Sequence, residues 1–136
     1  MDYRIEAITL PVADVDRAKA FYEQAGWHLD LDTEPSPGFR IVQFTPSGSA
    51  CSITFGTGMP QSEPGSYVNT YLVVTDIEAA HRDLKERGIG VSDIYHWSDQ
   101  GQTPGVDLKR GDYGSYASFS DPDGNVWLLQ EVPSRG

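Results

Sequence analysis

The sequence predicts an α+β fold in which two βαβββ modules follow one another and form a cupped mixed β-sheet. Three observations carry that prediction. The chain repeats itself: Leu10 and Leu72, Val12 and Val74, Asp14 and Asp76, Ala18 and Ala80, and Gly26 and Gly88 all differ by 62 positions. Each half opens on alternating apolar residues and runs straight into a capped amphipathic stretch, which reads as strand then helix. Each half also carries a closing turn signal, Pro46-Ser47-Gly48 in the first and Pro122-Asp123-Gly124 in the second. These turns lie 76 positions apart rather than 62, so the second half holds 14 extra residues upstream of its turn.

The elements follow in order. Ile8, Leu10 and Val12 fall on one face of a first strand, and Ala7 and Thr9 on the other. Asp14 is a suitable N-cap for a helix whose apolar stripe is Val15, Ala18, Tyr22 and Ala25, and Gly26 supplies the left-handed residue that ends it. Strands are expected over 27–32, 39–45 and 50–55, which completes a first module at about 4–56. The stretch 57–66, with Pro60 and Pro64, reads as a linker. The second module, about 67–132, repeats the pattern with Leu72 and Val74, then a capping box of Thr75 and Glu78. Its helix stripe is Ile77, Ala80 and Leu84, closed by Gly88, with strands expected over 90–95, 116–120 and 126–132. The extra residues fall within 96–115, where turn formers predict a long loop that closes over a site as a lid.

Composition narrows the function. With 136 residues the chain makes one domain, and 10 basic against 20 acidic side chains give a formal charge of −10. That charge, without any Lys/Arg cluster, repels phosphate backbones and anionic lipid, so neither nucleic acid nor membrane is an expected partner. No apolar run reaches the length of a membrane helix, and the acidic opening Met1-Asp2-Tyr3-Arg4 lacks the pattern of a signal peptide. A single cysteine, Cys51, builds no disulfide framework, which points to the cytoplasm. On the apolar face of its strand Cys51 reads as a small buried hydrophobe.

The strand–Asp–helix opening that runs into Ala20-Phe21-Tyr22 and then Gly26, together with the closing stretch Phe119-Ser120-Asp121-Pro122-Asp123-Gly124-Asn125-Val126-Trp127, resembles the vicinal oxygen chelate superfamily. This is the glyoxalase/bleomycin resistance fold, shared with the extradiol dioxygenases, and the resemblance runs from about residue 4 to 132. In its metal-dependent members, four side chains from the concave faces hold a divalent ion. The resemblance places those positions at Ala7 and Asn69, five residues before Val12 and Val74, and at Leu128, seven after Asp121, with Ser52 as its repeat partner. Alanine and leucine have no donor atom, and a divalent ion needs several oxygen or nitrogen donors with anionic compensation. The expectation is a member without the family metal and without another cofactor.

Other residues do not rebuild a metal site. His81 reads as a solvated helix residue and His28 as part of a solvent-facing strand edge alternating with Asp30 and Asp32. Asp121-x-Asp123-x-Asn125 lacks the later glycine and glutamate of a calcium loop and reads as a turn. Arg110-Gly111-Asp112 reads as a chance tripeptide.

Period-two arithmetic gives the concave face as Ala7, Thr9, Ser52 and Thr54 in the first module, and Asn69, Tyr71, Tyr116, Ser118, Leu128 and Gln130 in the second. Trp97 and His96, in the extra segment, would close over it. The candidate ligand-binding residues are therefore Thr9, Ser52, Thr54, Asn69, Tyr71, Trp97, Tyr116, Ser118 and Gln130. Hydroxyls, amides and rings without a charged floor suit an organic ligand held by stacking and a few hydrogen bonds. No carboxylate or histidine lies on that face to serve as a general acid or base, so catalytic residues are unassigned. The leading expectation is a metal-independent small-molecule-binding protein of the bleomycin-resistance type, working as a homodimer. Two alternatives stand beside it: a glyoxalase-like lyase, isomerase or epimerase with a relocated metal or a metal-free mechanism, and an interaction module whose cup is filled.

Overall fold

A computed structural model describes all of residues 1–136 and divides the chain into two units. The first contains residues 1–67 together with 121–125; the second contains 68–120 and 126–136. Each unit forms its own mixed sheet around one helix.

In the first unit β1 (Ala7–Thr9), α1 (Val15–Gln24), β2 (His28–Ser36), β3 (Phe39–Thr45) and β4 (Ser52–Thr57) give the sheet order β1-β4-β3-β2. β1 runs parallel to β4, and the other pairs are antiparallel. Asp14 caps α1 as expected, its carboxylate accepting from the Arg17 N–H at 3.1 Å. The helix lays Val15, Ala18 and Tyr22 onto Val42, Phe44, Ile53 and Phe55, all buried. Tyr22 sits 6.1 Å from Phe44 and 5.9 Å from Phe55, ring centroid to centroid. At the helix flank Asp32 receives Arg40 at 2.9 and 2.8 Å and Lys19 at 2.9 Å, contacts that hold its carboxyl well below the usual range.

The turn at 121–125 belongs to this first unit although its flanking strands do not. Asp121, 5% exposed, accepts from the Tyr22 phenol (2.9 Å), the Asn125 amide group (2.9 Å) and the backbone N–H groups of Asp123 (2.9 Å) and Asn125 (3.0 Å). Asn125 in turn donates to the Pro11 carbonyl at 2.8 Å and accepts from the Tyr67 N–H. Gly65 is required here: its φ is +78°, and a Cβ would stand 2.1 Å from the Asp123 carbonyl oxygen. The acidic turn is thus a structural knot.

The second unit contains β5 (Thr70–Val74), α2 (Ile77–Glu86), β6 (Tyr95–Ser98), β7 (Gly101–Pro104), β8 (Ser115–Ser120) and β9 (Val126–Glu131), in the sheet order β5-β9-β8-β6-β7. α2 buries Ile77 and Leu84, and the sheet contributes Ala117, Phe119, Trp127 and Leu129 to the core. The core face of β9 ends on Glu131, a carboxylate with no exposed surface. It accepts from the Ile77 N–H at the start of α2 (2.8 Å) and from the Arg110 guanidinium at 3.0 and 2.6 Å. Arg110 adopts φ +46° to reach it and also bonds Glu78 at 2.7 Å. Arg110 is therefore the counter-ion of a core carboxylate.

Several expectations are corrected. The helix cap is Asp76, which accepts from the Glu78 and Ala79 N–H groups, so Thr75 and Glu78 form no capping box. The expected strand at 90–95 is strand only at Tyr95. The expected loop at 96–115 contains most of the β6–β7 hairpin, because Trp97, Gln102 and Thr103 extend a sheet that β8 offers them. His81 is half-buried, with Nε2 3.0 Å from the Ser92 carbonyl, and Cys51, just before β4, and Ile8, on the edge strand β1, remain partly exposed.

Arg110→Met strands the Glu131 charge and lowers stability by about 2–4 kcal/mol in urea melts, short of the fully buried case because Arg110 is itself partly exposed. Glu131 titrates below an ordinary glutamate, chiefly through Arg110 and despite its burial. Its stabilisation is therefore complete above about pH 5 and is lost as pH falls through the depressed folded value, and Arg110→Met flattens that acid limb. Tyr22→Phe removes one charge-assisted hydrogen bond to Asp121 and lowers the urea midpoint by an amount equivalent to about 1–2 kcal/mol.

Candidate functional site

Each sheet covers one face with its helix and leaves the other to polar and aromatic side chains. In the first unit the register pairs Ala7 with Ser52 and Thr9 with Thr54 across β1 and β4, and Gln43 with Thr54 across β3 and β4. Thr9 and Thr54 hydroxyls lie 3.2 Å apart. Ser52 and Thr45 hydroxyls lie 2.6 Å apart, Thr45 donates to Asp30 at 2.5 Å, and Gln43 donates to the same carboxylate oxygen at 3.2 Å. Of the residues expected here, Ser52 belongs to a hydroxyl chain that runs through Thr45 to Asp30, while Thr9 and Thr54 bond only each other. Asp30 keeps to the His28 side of its strand, and the β-bulge between Leu29 and Leu31 shifts the residues after it, so that Leu31 pairs with Gln43 and Asp32 turns to Lys19 and Arg40. Gln43 and Thr45 were legible, since they alternate on the expected strand 39–45. His28 sits on the edge strand with its side chain 78% exposed, as expected of a solvent-facing position.

In the second unit two rows cross the outer face. Tyr71, Leu128 and Ser118 form one; Val73, Gln130, Tyr116, Tyr95 and Pro104 form the next; Trp97 and Gln102 pair beyond them. Asn69 precedes β5 and is exposed. Tyr95 stacks on Tyr116 with centroids 5.7 Å apart and planes at 22°, and meets Trp97 edge-on at 6.0 Å. Tyr71 and Trp97 are 54% and 61% exposed, large rings presented to solvent without an apolar partner over them. Burial pushes the Tyr95 phenol above its ordinary value, and nearby Tyr116 and Tyr71 push it further.

The polar groups of this face are ordered. The Tyr116 phenol donates to the Tyr113 carbonyl at 2.7 Å and accepts from the Gln130 amide at 3.3 Å, which spends its hydrogen-bonding capacity and leaves its ring for stacking. Tyr113 holds φ +64° while presenting that carbonyl. Beside Tyr95 lies an open cleft of about 510 Å³, walled by Tyr95, Gln102, Pro104 and Ser118 and by Ser92 and Asp93 from the segment before β6. Tyr95 is the residue the sequence reading missed; its period-two spacing from Trp97 was the available signal. His96 does not close over this face. It alternates with Tyr95 and Trp97, pairs with buried Ser115, and its Nδ1 donates to the Gly105 carbonyl at 2.8 Å.

The residues do not fit a divalent metal. Ala7 stands opposite Ser52, but on the second sheet Leu128 stands opposite Tyr71, two residues on from Asn69. Either register supplies alanine, serine, leucine and one neutral side chain. No three His, Cys, Asp or Glu side chains converge anywhere in the chain. Metal coordination needs more donors than this set offers.

Comparison with known proteins agrees with the fold. A profile of the Glyoxalase/Bleomycin resistance protein/Dioxygenase superfamily matches residues 4–129. TnmS3, an antibiotic-binding protein from Streptomyces sp. CB03234, is 30% identical over 96% of this chain and 97% of its own, with a TM-score of 0.72. A glyoxalase/bleomycin resistance protein from the same Streptomyces strain is 31% identical over 94% of this chain and 100% of its own, with a TM-score of 0.69. A superfamily member from Sphaerobacter thermophilus DSM 20745 is 27% identical, covers 96% of this chain and 98% of its own, and has a TM-score of 0.70. No protein of curated function matches in sequence. A mixed sheet with one helix on each module and a polar-aromatic outer face defines a βαβββ-repeat protein. The chain belongs to the Glyoxalase/Bleomycin resistance protein/Dioxygenase superfamily.

The aromatic cluster generates its own prediction. Because the Tyr95 phenol ionises above the ordinary tyrosine range, Tyr95→Phe removes the late part of the phenolate absorbance rise near 295 nm and leaves the early part in place.

Proposed function

We propose that this protein binds a small organic molecule, an aromatic antibiotic-like compound, on the outer face of its second sheet, and does so without a metal and without transforming it. The observation that carries this reading is the set of rings Tyr71, Tyr95, Trp97 and Tyr116, two of them largely exposed, beside an open cleft of about 510 Å³. Exposed rings in a row cost solvation free energy that a flat ligand recovers by stacking. Asn69, Ser118 and Gln130 supply amide and hydroxyl groups on the sheet that carries those rings, and Thr9, Ser52 and Thr54 present hydroxyls on the first sheet. The antibiotic-binding description of TnmS3, at 30% identity, supports a ligand of that kind.

Catalysis is the weaker reading. The positions that hold metal in related enzymes bear no adequate donor set, so no Lewis acid would polarise a carbonyl. The one carboxylate of the cleft, Asp93, is exposed and accepts no hydrogen bond that would orient it as a general base.

A thermal-melting screen with fused-ring aromatic antibiotics, bleomycin included, tests the proposal. At least one compound is expected to raise Tm in a concentration-dependent way, since a ligand that binds only the native state must stabilise it. Trp97→Ala and Tyr71→Ala are each expected to weaken that compound about three- to tenfold while leaving the unliganded Tm unchanged. Nickel, zinc or manganese salts are expected to leave Tm where it was. A screen in which no aromatic compound stabilises the protein, or one in which a divalent metal does, would contradict the reading.

A further inference from the structure

The second sheet has one strand more than the first: β7 lies outside β6 and has no counterpart beyond β2. The extra residues of the second module therefore do something specific, and what they build is a wall of the cleft beside Tyr95, through Gln102 and Pro104. The chemistry of that cleft is one-sided. Asp93 is the single charged residue lining it, and no lysine or arginine approaches to neutralise it. No hydrogen bond or ion pair engages the Asp93 carboxylate, in a chain whose other carboxylates include several held by arginine. Its neighbour Ser92 is already spent, donating to the Asp93 carbonyl at 3.0 Å and accepting from the Ser118 N–H at 2.9 Å. The side chains left for a guest are one anion, the Gln102 amide, the Ser118 hydroxyl and the Tyr95 ring.

We propose that this cleft takes a cationic group of the bound molecule, an ammonium or guanidinium, with Asp93 as its counter-ion and the Tyr95 ring as its π partner. A carboxylate beside an aromatic ring attracts a soft organic cation from two directions, by charge and by the ring quadrupole. The formal charge of −10 adds a general attraction in the same sense. An anionic guest would face Asp93 with nothing to offset it, and a metal ion would find a single carboxylate. This assignment rests on the small-molecule-binding reading and sharpens it: the ligand is a flat aromatic that carries a positive charge at one end.

Benzylammonium and benzyl alcohol, matched in shape and differing in charge, separate the two claims. Their affinities are read from backbone amide shifts in a titration of the full chain. Benzylammonium is expected to bind about tenfold more tightly than the alcohol and to move the amides of Asp93, Tyr95 and Gln102. Asp93→Asn, a change at an exposed position, is expected to bring the two probes within about twofold of each other. In the unaltered protein, raising salt from about 0.02 to 0.5 M is expected to erode the preference in the same way. Equal affinities in the unaltered protein, or a preference that survives Asp93→Asn, would overturn the cation assignment while larger aromatic compounds still bound. Failure of both probes and of every aromatic compound in the melting screen would overturn the assignment and the binding reading together.

Discussion

The carboxylate of Glu131 organises the unit that carries the aromatic face. It lies at the end of β9 with no exposed surface, where an unpaired charge would cost several kcal/mol. Three elements are recruited to prevent that cost: the first turn of α2 through the Ile77 N–H, the loop before β8 through Arg110, and the strand itself. Arg110 is drawn into a left-handed backbone conformation to complete the pair, and three residues later Tyr113 adopts another. The Tyr113 carbonyl then receives the Tyr116 phenol, which fixes the ring on which Tyr95 stacks. A core ion pair thereby reaches the opposite face of its own sheet through a strained loop.

The first unit uses the same device with a different carboxylate. Asp121 is nearly buried and collects four donors, one of them the Tyr22 phenol from the last turn of α1. The Asp-Pro-Asp-Gly-Asn turn is thus held to a unit whose other residues come from far earlier in the chain. In both units a buried acid satisfied by donors from separate elements specifies the packing that hydrophobic burial alone would leave loose.

Much of this was legible from residue spacing. The 62-residue repeat located both helices, and period-two alternation separated Ile53, Phe55, Trp127 and Leu129 from Thr54, Leu128 and Gln130. What failed to show was whatever depends on tertiary partners. Asp32 left its expected alternation with His28 and Asp30 at a bulge, which one strand's sequence does not reveal. The stretch 96–115 is rich in turn formers, yet Tyr95–Ser98 and Gly101–Pro104 become strand because β8 offers an edge for them to pair with. Arg110 and Glu131 are 21 residues apart and no local rule joins them. His96, expected to close over the face beside Trp97, alternates with it and turns to the other side of the sheet.

The chemistry left by these constraints is that of a receptor surface. Rings, neutral polar groups and the carboxylates of Asp30 and Asp93 lie on the faces away from the helices, and Ala7, Ser52, Leu128 and Asn69 or Tyr71 together offer few donors for a divalent ion. The most direct test of that account is a native mass spectrum of the untagged protein after incubation with a stabilising aromatic cation. The account predicts a single adduct of the intact compound, with no divalent metal in the mass and no chemical change in the compound recovered. A stoichiometric metal, or recovery of a transformed product, would contradict it and make the protein an enzyme.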